Sequence, residues 1–137
     1  MPTVLIVDDD PIFLESAAEL LSNAGYEVDR AHNGQEAIKT LEKKRGDVVL
    51  TIIDLNLPDI NGFELIGALR RHNNAVKILA TTAVYKDEHL EMAATLGADA
   101  ALRKPAPGKP MQKREWLQTV ERLIGAPGSR GLRASRD

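Results

Sequence analysis

No cysteine occurs among the 137 residues, so neither a disulfide framework nor thiolate chemistry is available to this chain. No apolar run approaches the roughly 18 residues needed to span a membrane. The start, Met1-Pro2-Thr3, lacks the basic patch and apolar stretch of a secretory signal. The formal charge is −2 and the pI near 5.9, so the basic excess that would make nucleic acid the default partner is also missing. These absences point to a cytoplasmic protein acting on neither membrane nor nucleic acid. The length suits one domain with a single core and is too short for a second of ordinary size.

What is present is alternation. Val4 to Val7 form a short apolar run ending in Asp8-Asp9-Asp10, as expected of a buried strand. Pro11 suits the first turn of a helix and Asp10 its cap; Phe13, Leu14, Ala17, Leu20, Leu21 and Ala24 make one apolar face before Gly25. A weak strand over Glu27 to Ala31 and a helix over Gln35 to Lys44 follow, then a strongly apolar strand, Val48 to Ile53, which also ends in an acid, Asp54. Leu57-Pro58-Asp59-Ile60-Asn61-Gly62 reads as a loop. A third helix carries Phe63, Leu65, Ile66 and Leu69 and closes with Arg70-Arg71-His72, cations that suit a helix C-terminus. The pattern then predicts a strand over Val76 to Thr82, a helix over Asp87 to Leu96, and a short strand from Ala100 to Arg103 before Lys104-Pro105. A last helix, Gln112 to Ile124, turns Trp116, Leu117, Val120, Leu123 and Ile124 inward, with Trp116 as a core residue. From Gly125 to Asp137 the periodicity ends. Residues 1–124 are therefore expected to form the domain and 125–137 a flexible, Gly- and Arg-containing tail or linker remnant.

Five strands alternating with five helices imply an α/β fold of the flavodoxin-like, doubly wound (βα)5 kind, with a parallel five-stranded sheet covered on both faces. For the order 2-1-3-4-5 the ligand crevice lies beyond the carboxyl ends of the first and third strands, where Asp8, Asp9 and Asp54 fall. Carboxylates gathered this closely repel by about 4 kcal/mol per adjacent pair at an effective dielectric of 20, so they require protons or a cation. Oxygen-only ligands with room for water favour Mg²⁺, which in turn suits phosphoryl oxygens. Lys104 and Thr82, at the ends of the fifth and fourth strands, would add a cation and a hydroxyl. Taken singly, each residue has an ordinary reading: a helix cap, a surface lysine, a strand threonine, turn-forming Asn56 and Asn61. Their joint placement at the ends of four strands is what carries the functional reading.

The segments Val4 to Pro11, Asp54 to Gly62, Thr82-Ala83 and Lys104-Pro105 resemble the response-regulator receiver family over essentially residues 3 to 124. The resemblance implies a phosphoacceptor receiver of a two-component phosphorelay, whether acting alone or as the first domain of a longer regulator. Asp54 would take the phosphoryl group from a sensor histidine kinase or histidine phosphotransfer protein. Asp9, Asp54 and the Asn56 carbonyl would ligate Mg²⁺, with Asp8 acting mainly through metal-bound water. Lys104 would contact the phosphoryl group and Thr82 would move to hydrogen-bond it. Such a protein is not an enzyme beyond its own aspartyl phosphorylation and autodephosphorylation, and its output protein is unnamed by the sequence.

Two positions depart from the family pattern. Ala101 and Ala106 stand where aromatic residues are common, so Tyr85 is a candidate substitute for the switch residue, and apolar Val84 is expected to restrict the water that attacks the acyl phosphate. The two alanines also raise a rival reading, a receiver-like binding module that signals without phosphorylation, although the residues of the chemistry are all retained. A second rival is a haloacid-dehalogenase-type phosphatase using Asp8, since Asp8-Asp9-Asp10 imitates its paired aspartates; Pro11-Ile12-Phe13 and the absence of a late acidic pair after Lys104 speak against it. His32, His72 and His89 share no metal spacing. Arg130, Arg133 and Arg136 read as a solvated tail.

Overall fold

The computed structural model describes residues 2–44, 46–72, 75–83, 87–106 and 108–127, with the backbone alone at 72 and 87–90. Ten elements alternate along it: β1 (Thr3–Val7), α1 (Pro11–Asn23), β2 (Glu27–Ala31), α2 (Gly34–Lys43), β3 (Val48–Asp54), α3 (Gly62–His72), β4 (Lys77–Thr82), α4 (Asp87–Leu96), β5 (Ala100–Arg103) and α5 (Lys113–Ile124). The strands form one parallel sheet in the order β2-β1-β3-β4-β5. This is the expected flavodoxin-like α/β fold.

The period of two along each strand divides the core. Leu5 and Val7 of β1, Ile53 of β3 and Ile78 and Ala80 of β4 point to the side covered by α2, α3 and α4, where Ala37, Leu65, Ile66, Leu69 and Ala93 meet them. Val4 and Ile6 of β1, Leu50 and Ile52 of β3 and Leu79 of β4 point to the other side, against α1 and α5 with Phe13, Leu14, Leu21, Trp116 and Val120. Each large aliphatic side chain buried in this way contributes about 1.5–3 kcal/mol of transfer free energy. Trp116 is a core residue, as expected.

The element ends follow local chemistry. Asp10 caps α1 by accepting from Ile12 N at 3.0 Å, and Pro11 opens the helix. Asn33 caps α2 by accepting from Glu36 N at 2.9 Å, so that helix starts at Gly34, one residue before its expected start. Ala18, absent from the expected face of α1, is fully buried beside Ala17, whereas Leu20 is half-buried. Leu20 packs against the same core from its margin. Arg70, expected to serve the C-terminus of its own helix, reaches beyond it: Nε donates to Gly97 O at 2.9 Å, one terminal nitrogen to Val76 O at 2.5 Å and the other to Asp99 Oδ2 at 2.6 Å. After α5, Tyr26 donates its hydroxyl to Gly125 O at 2.9 Å, and residues 128–137 of the expected tail, with its three arginines, lie outside the described residues. Among the described residues no helix is long and apolar enough to cross a membrane.

Candidate functional site

The register of the sheet brings the predicted residues to one edge. Val7 of β1 pairs with Ile53 of β3, so Asp8 and Asp54 stand side by side one step further on. Asp54 pairs with Thr81 of β4, and Thr82 with Arg103 of β5, so Thr82 and Lys104 complete the same rim. Lys104 N donates to Thr82 O at 2.8 Å, which fixes the backbone of the two strand ends together.

Asp8, Asp9 and Asp54 each offer a carboxylate oxygen within 4.8 Å of the others. Asp8 is fully buried, Asp54 is 4% exposed, and Asp9 is exposed. Lys104 is a buried residue, and its ammonium lies 3.1 Å from Asp8 Oδ1, 2.9 Å from Asp8 Oδ2 and 3.5 Å from Asp54 Oδ2. Its hydrogen bond is directed at Oδ1. Asp8 Oδ2 stays buried with an ion contact but no directed hydrogen bond. Backbone donors hold the acids from the other side, Asp10 N to Asp8 Oδ1 at 2.9 Å and Asn56 N to Asp54 Oδ1 at 3.0 Å. Asn56 itself is exposed, and Thr82 is buried.

One ammonium facing two buried carboxylates leaves negative charge in excess. Burial, followed by the charge of Asp54, pushes the Asp8 carboxyl up from 3.8 to about 6, against the pull of the Asp10 N–H and Lys104. For Lys104 burial is the largest single influence and favours the neutral amine, but the Asp8 hydrogen bond and the charges of Asp54, Asp8 and Asp10 outweigh it and hold the ammonium above its ordinary value. A cluster of oxygen donors with surplus negative charge and an acceptor lacking a directed partner fits a hard divalent cation.

Three supporting contacts escaped the sequence reading. The Asp59 carboxylate accepts from Gly34 N at 2.8 Å and Gln35 N at 3.0 Å, pinning the loop after β3 to the start of α2. The Gly34, Gln35 and Ile60 N–H groups hold that carboxyl below its ordinary value, Gly34 most strongly. Nothing local signals a contact spanning 25 residues. Gly62 is required by close approach, since a Cβ there would fall 2.5 Å from Leu55 Cα and 2.7 Å from Asp54 O. The Asn61-Gly62 pair in a predicted loop was its available signal. Finally, Phe13, read only as core, lies under Lys104, with Nζ 4.8 Å from the ring centroid.

Ala101 and Ala106, which stand where aromatics are common in the family, are both half-buried, while Val84 and Tyr85 lie outside the described residues. His32 is exposed beside Glu36 at 3.2 Å; the side chains of His72 and His89 also lie outside the described residues.

The site is an acidic cluster with a lysine at the carboxyl edge of a parallel doubly wound α/β sheet, and likeness to known proteins specifies the kind. The family model for the response regulator receiver domain matches residues 4–115, and the chain belongs to that family, the receivers of two-component systems. A response regulator receiver protein of Anaeromyxobacter sp. is 42% identical over 77% of this chain and 43% of its own length. The transcriptional regulatory protein CusR of Escherichia coli is 38% identical over 74% of this chain and 44% of its own. The chain thus spans less than half the length of these curated relatives. Among solved structures, the chemotaxis response regulator CheY4 of Vibrio cholerae superposes with a TM-score of 0.78 at 31% identity, covering 90% of this chain and 99% of that one. Response regulator TrrA of Thermotoga maritima, solved in complex with Mg²⁺-BeF, gives 0.76 at 32% identity over 90% and 100%. Membership in this family goes against the phosphatase reading raised by Asp8-Asp9-Asp10.

Proposed function

We propose that this chain is a phosphoacceptor receiver, phosphorylated on Asp54 by a histidine kinase or histidine phosphotransfer protein in a Mg²⁺-dependent reaction that switches binding to an output partner. The observation carrying the reading is the trio of carboxylates within 4.8 Å, with the Lys104 ammonium 3.5 Å from Asp54 Oδ2. Asp9, Asp54 and the Asn56 carbonyl would hold Mg²⁺, with Asp8 contributing through water. The bound ion would supply the positive charge that the cluster lacks and neutralise the incoming phosphoryl group.

In the transfer an Asp54 oxygen attacks phosphorus, an O–P bond forms as the N–P bond to the donor histidine breaks, and the imidazole leaves. The Asn56 N–H, bound to Asp54 Oδ1, orients the carboxylate. Lys104 and Thr82 donate to the phosphoryl oxygens as charge accumulates there. The acyl phosphate then adds dianionic charge beside Lys104 and the end of β4, biasing a two-state equilibrium of β4, α4 and β5. The chain catalyses nothing beyond its own phosphorylation and dephosphorylation, and a cytoplasmic location accompanies this reading.

Intact-mass spectrometry after incubation with acetyl phosphate tests it. The expected result is gain of one phosphoryl group that requires Mg²⁺, is labile to base and is lost in Asp54→Asn. An adduct that survives Asp54→Asn would move the chemistry to Asp8, and no adduct with acetyl phosphate or a phosphohistidine donor would overturn the reading.

A further inference from the structure

We infer that Phe13, braced by Trp116, is a positioning residue for the Lys104 ammonium, an inference that rests on the role proposed for Lys104. Two carboxylates hold that ammonium, at 2.9 Å and 3.5 Å. A four-carbon chain with rotatable torsions can reach Asp8 by several routes, and only some of them also keep the ammonium beside Asp54. The phosphoryl group must find the ammonium beside Asp54, ready to donate.

The Phe13 ring supplies a further attraction that selects among those routes. Its centroid is 4.8 Å from Nζ, within the range where the negative face of an aromatic ring attracts a cation, and the ring is buried, so water does not weaken the contact. The ring is itself fixed. Its centroid lies 5.5 Å from that of Trp116 with the planes at 60°, a tilted aromatic pair, and Trp116 is buried in the same core cluster. Phe13 comes from the first turn of α1 and Trp116 from the first turn of α5, so the ammonium is bracketed by elements on which the acids do not lie. An apolar core alone would be satisfied by leucine at position 13. Holding a cation requires the ring.

The test separates ring electrostatics from packing. Phe13→Leu keeps an apolar side chain and removes the ring; pentafluorophenylalanine placed at position 13 keeps the ring shape and reverses its charge distribution. Both variants should take up phosphate from acetyl phosphate about three- to thirtyfold more slowly than wild type, the loss expected from one cation–π contact between its exposed and desolvated limits. Mg²⁺ affinity should stay within about twofold, and the fluorinated protein should melt near the wild-type temperature. The Lys104 Cε and Nζ resonances should shift in both.

Wild-type rates and unmoved Lys104 resonances in the fluorinated protein would overturn the inference, as would slow uptake accompanied by an equal loss of Mg²⁺ affinity. If wild type takes up no phosphate from any donor, the function proposed above fails, and the resonances alone decide: movement sustains the ring contact and no movement ends it.

Discussion

The two edges of the sheet each contain a largely buried cation paired with acid, yet they are built to opposite standards. At the amino edge Arg70 meets Gly97 O, Val76 O and Asp99 Oδ2, and Asp99 Oδ2 also accepts from Ile78 N at 2.8 Å. That set of donors and acceptors is matched in charge and tied to three elements. At the carboxyl edge Lys104 faces two buried carboxylates and an exposed third, and one oxygen of Asp8 has no directed hydrogen bond. A matched cation–acid set holds structure together, whereas a mismatched buried one stores a demand for ligand. The same protein shows both within the length of a strand.

Removing each cation should break this comparison in different ways. Lys104→Met should slow phosphoryl uptake about a hundredfold, the effect of losing one preorganised donor to developing charge. Near pH 5 its folding should change little, because Asp8 already holds its proton there with the ammonium present. Uptake kinetics beside a urea melt checks both halves of this expectation. Arg70→Ala should do the reverse. It takes the guanidinium from two carbonyls and from the partly exposed Asp99 carboxylate, which still accepts from Ile78 N, and should cost about 2 kcal/mol of stability, with uptake by Asp54 unchanged. A loss of uptake in Arg70→Ala as large as that in Lys104→Met would erase the distinction between the edges.

The contrast also explains what was legible in the sequence. Asp8 and Asp54 were readable because each ends an apolar strand, and parallel topology brings such ends to one side. The cap at Asp10 and the entry at Pro11 were readable because a helix start is a local event. Arg70 was readable only as a cation near a helix end; that it crosses to Gly97 and Asp99 depends on how α3 lies against the α4–β5 connection, which periodicity along one element does not encode. Phe13 was visible as core for the same reason that its second role was hidden. Its spacing shows which side of α1 is apolar, but the ammonium comes from the far end of the chain. Ala18 joins the buried face, with Leu20 at its margin, because how α1 lies on the sheet is a tertiary fact that the spacing along one helix does not encode.

The central claim, that the carboxyl edge is short of positive charge, has a pH signature. Folded Asp8 holds its proton up to about pH 6, whereas an unfolded aspartate releases it near 3.8. Between those values the folded state binds more protons, so Asp8 makes stability fall as pH rises, with its full penalty present above about pH 6. A divalent cation bound by the ionised cluster should relieve that penalty where it exists. The most direct measurement is therefore the thermal midpoint of wild type with and without about 10 mM Mg²⁺, near pH 5 and near pH 7.5. The account predicts a rise of several degrees at the higher pH, a much smaller one at the lower, and little response at either in Asp9→Asn. An equal response at both pH values, or none in wild type at pH 7.5, would contradict it.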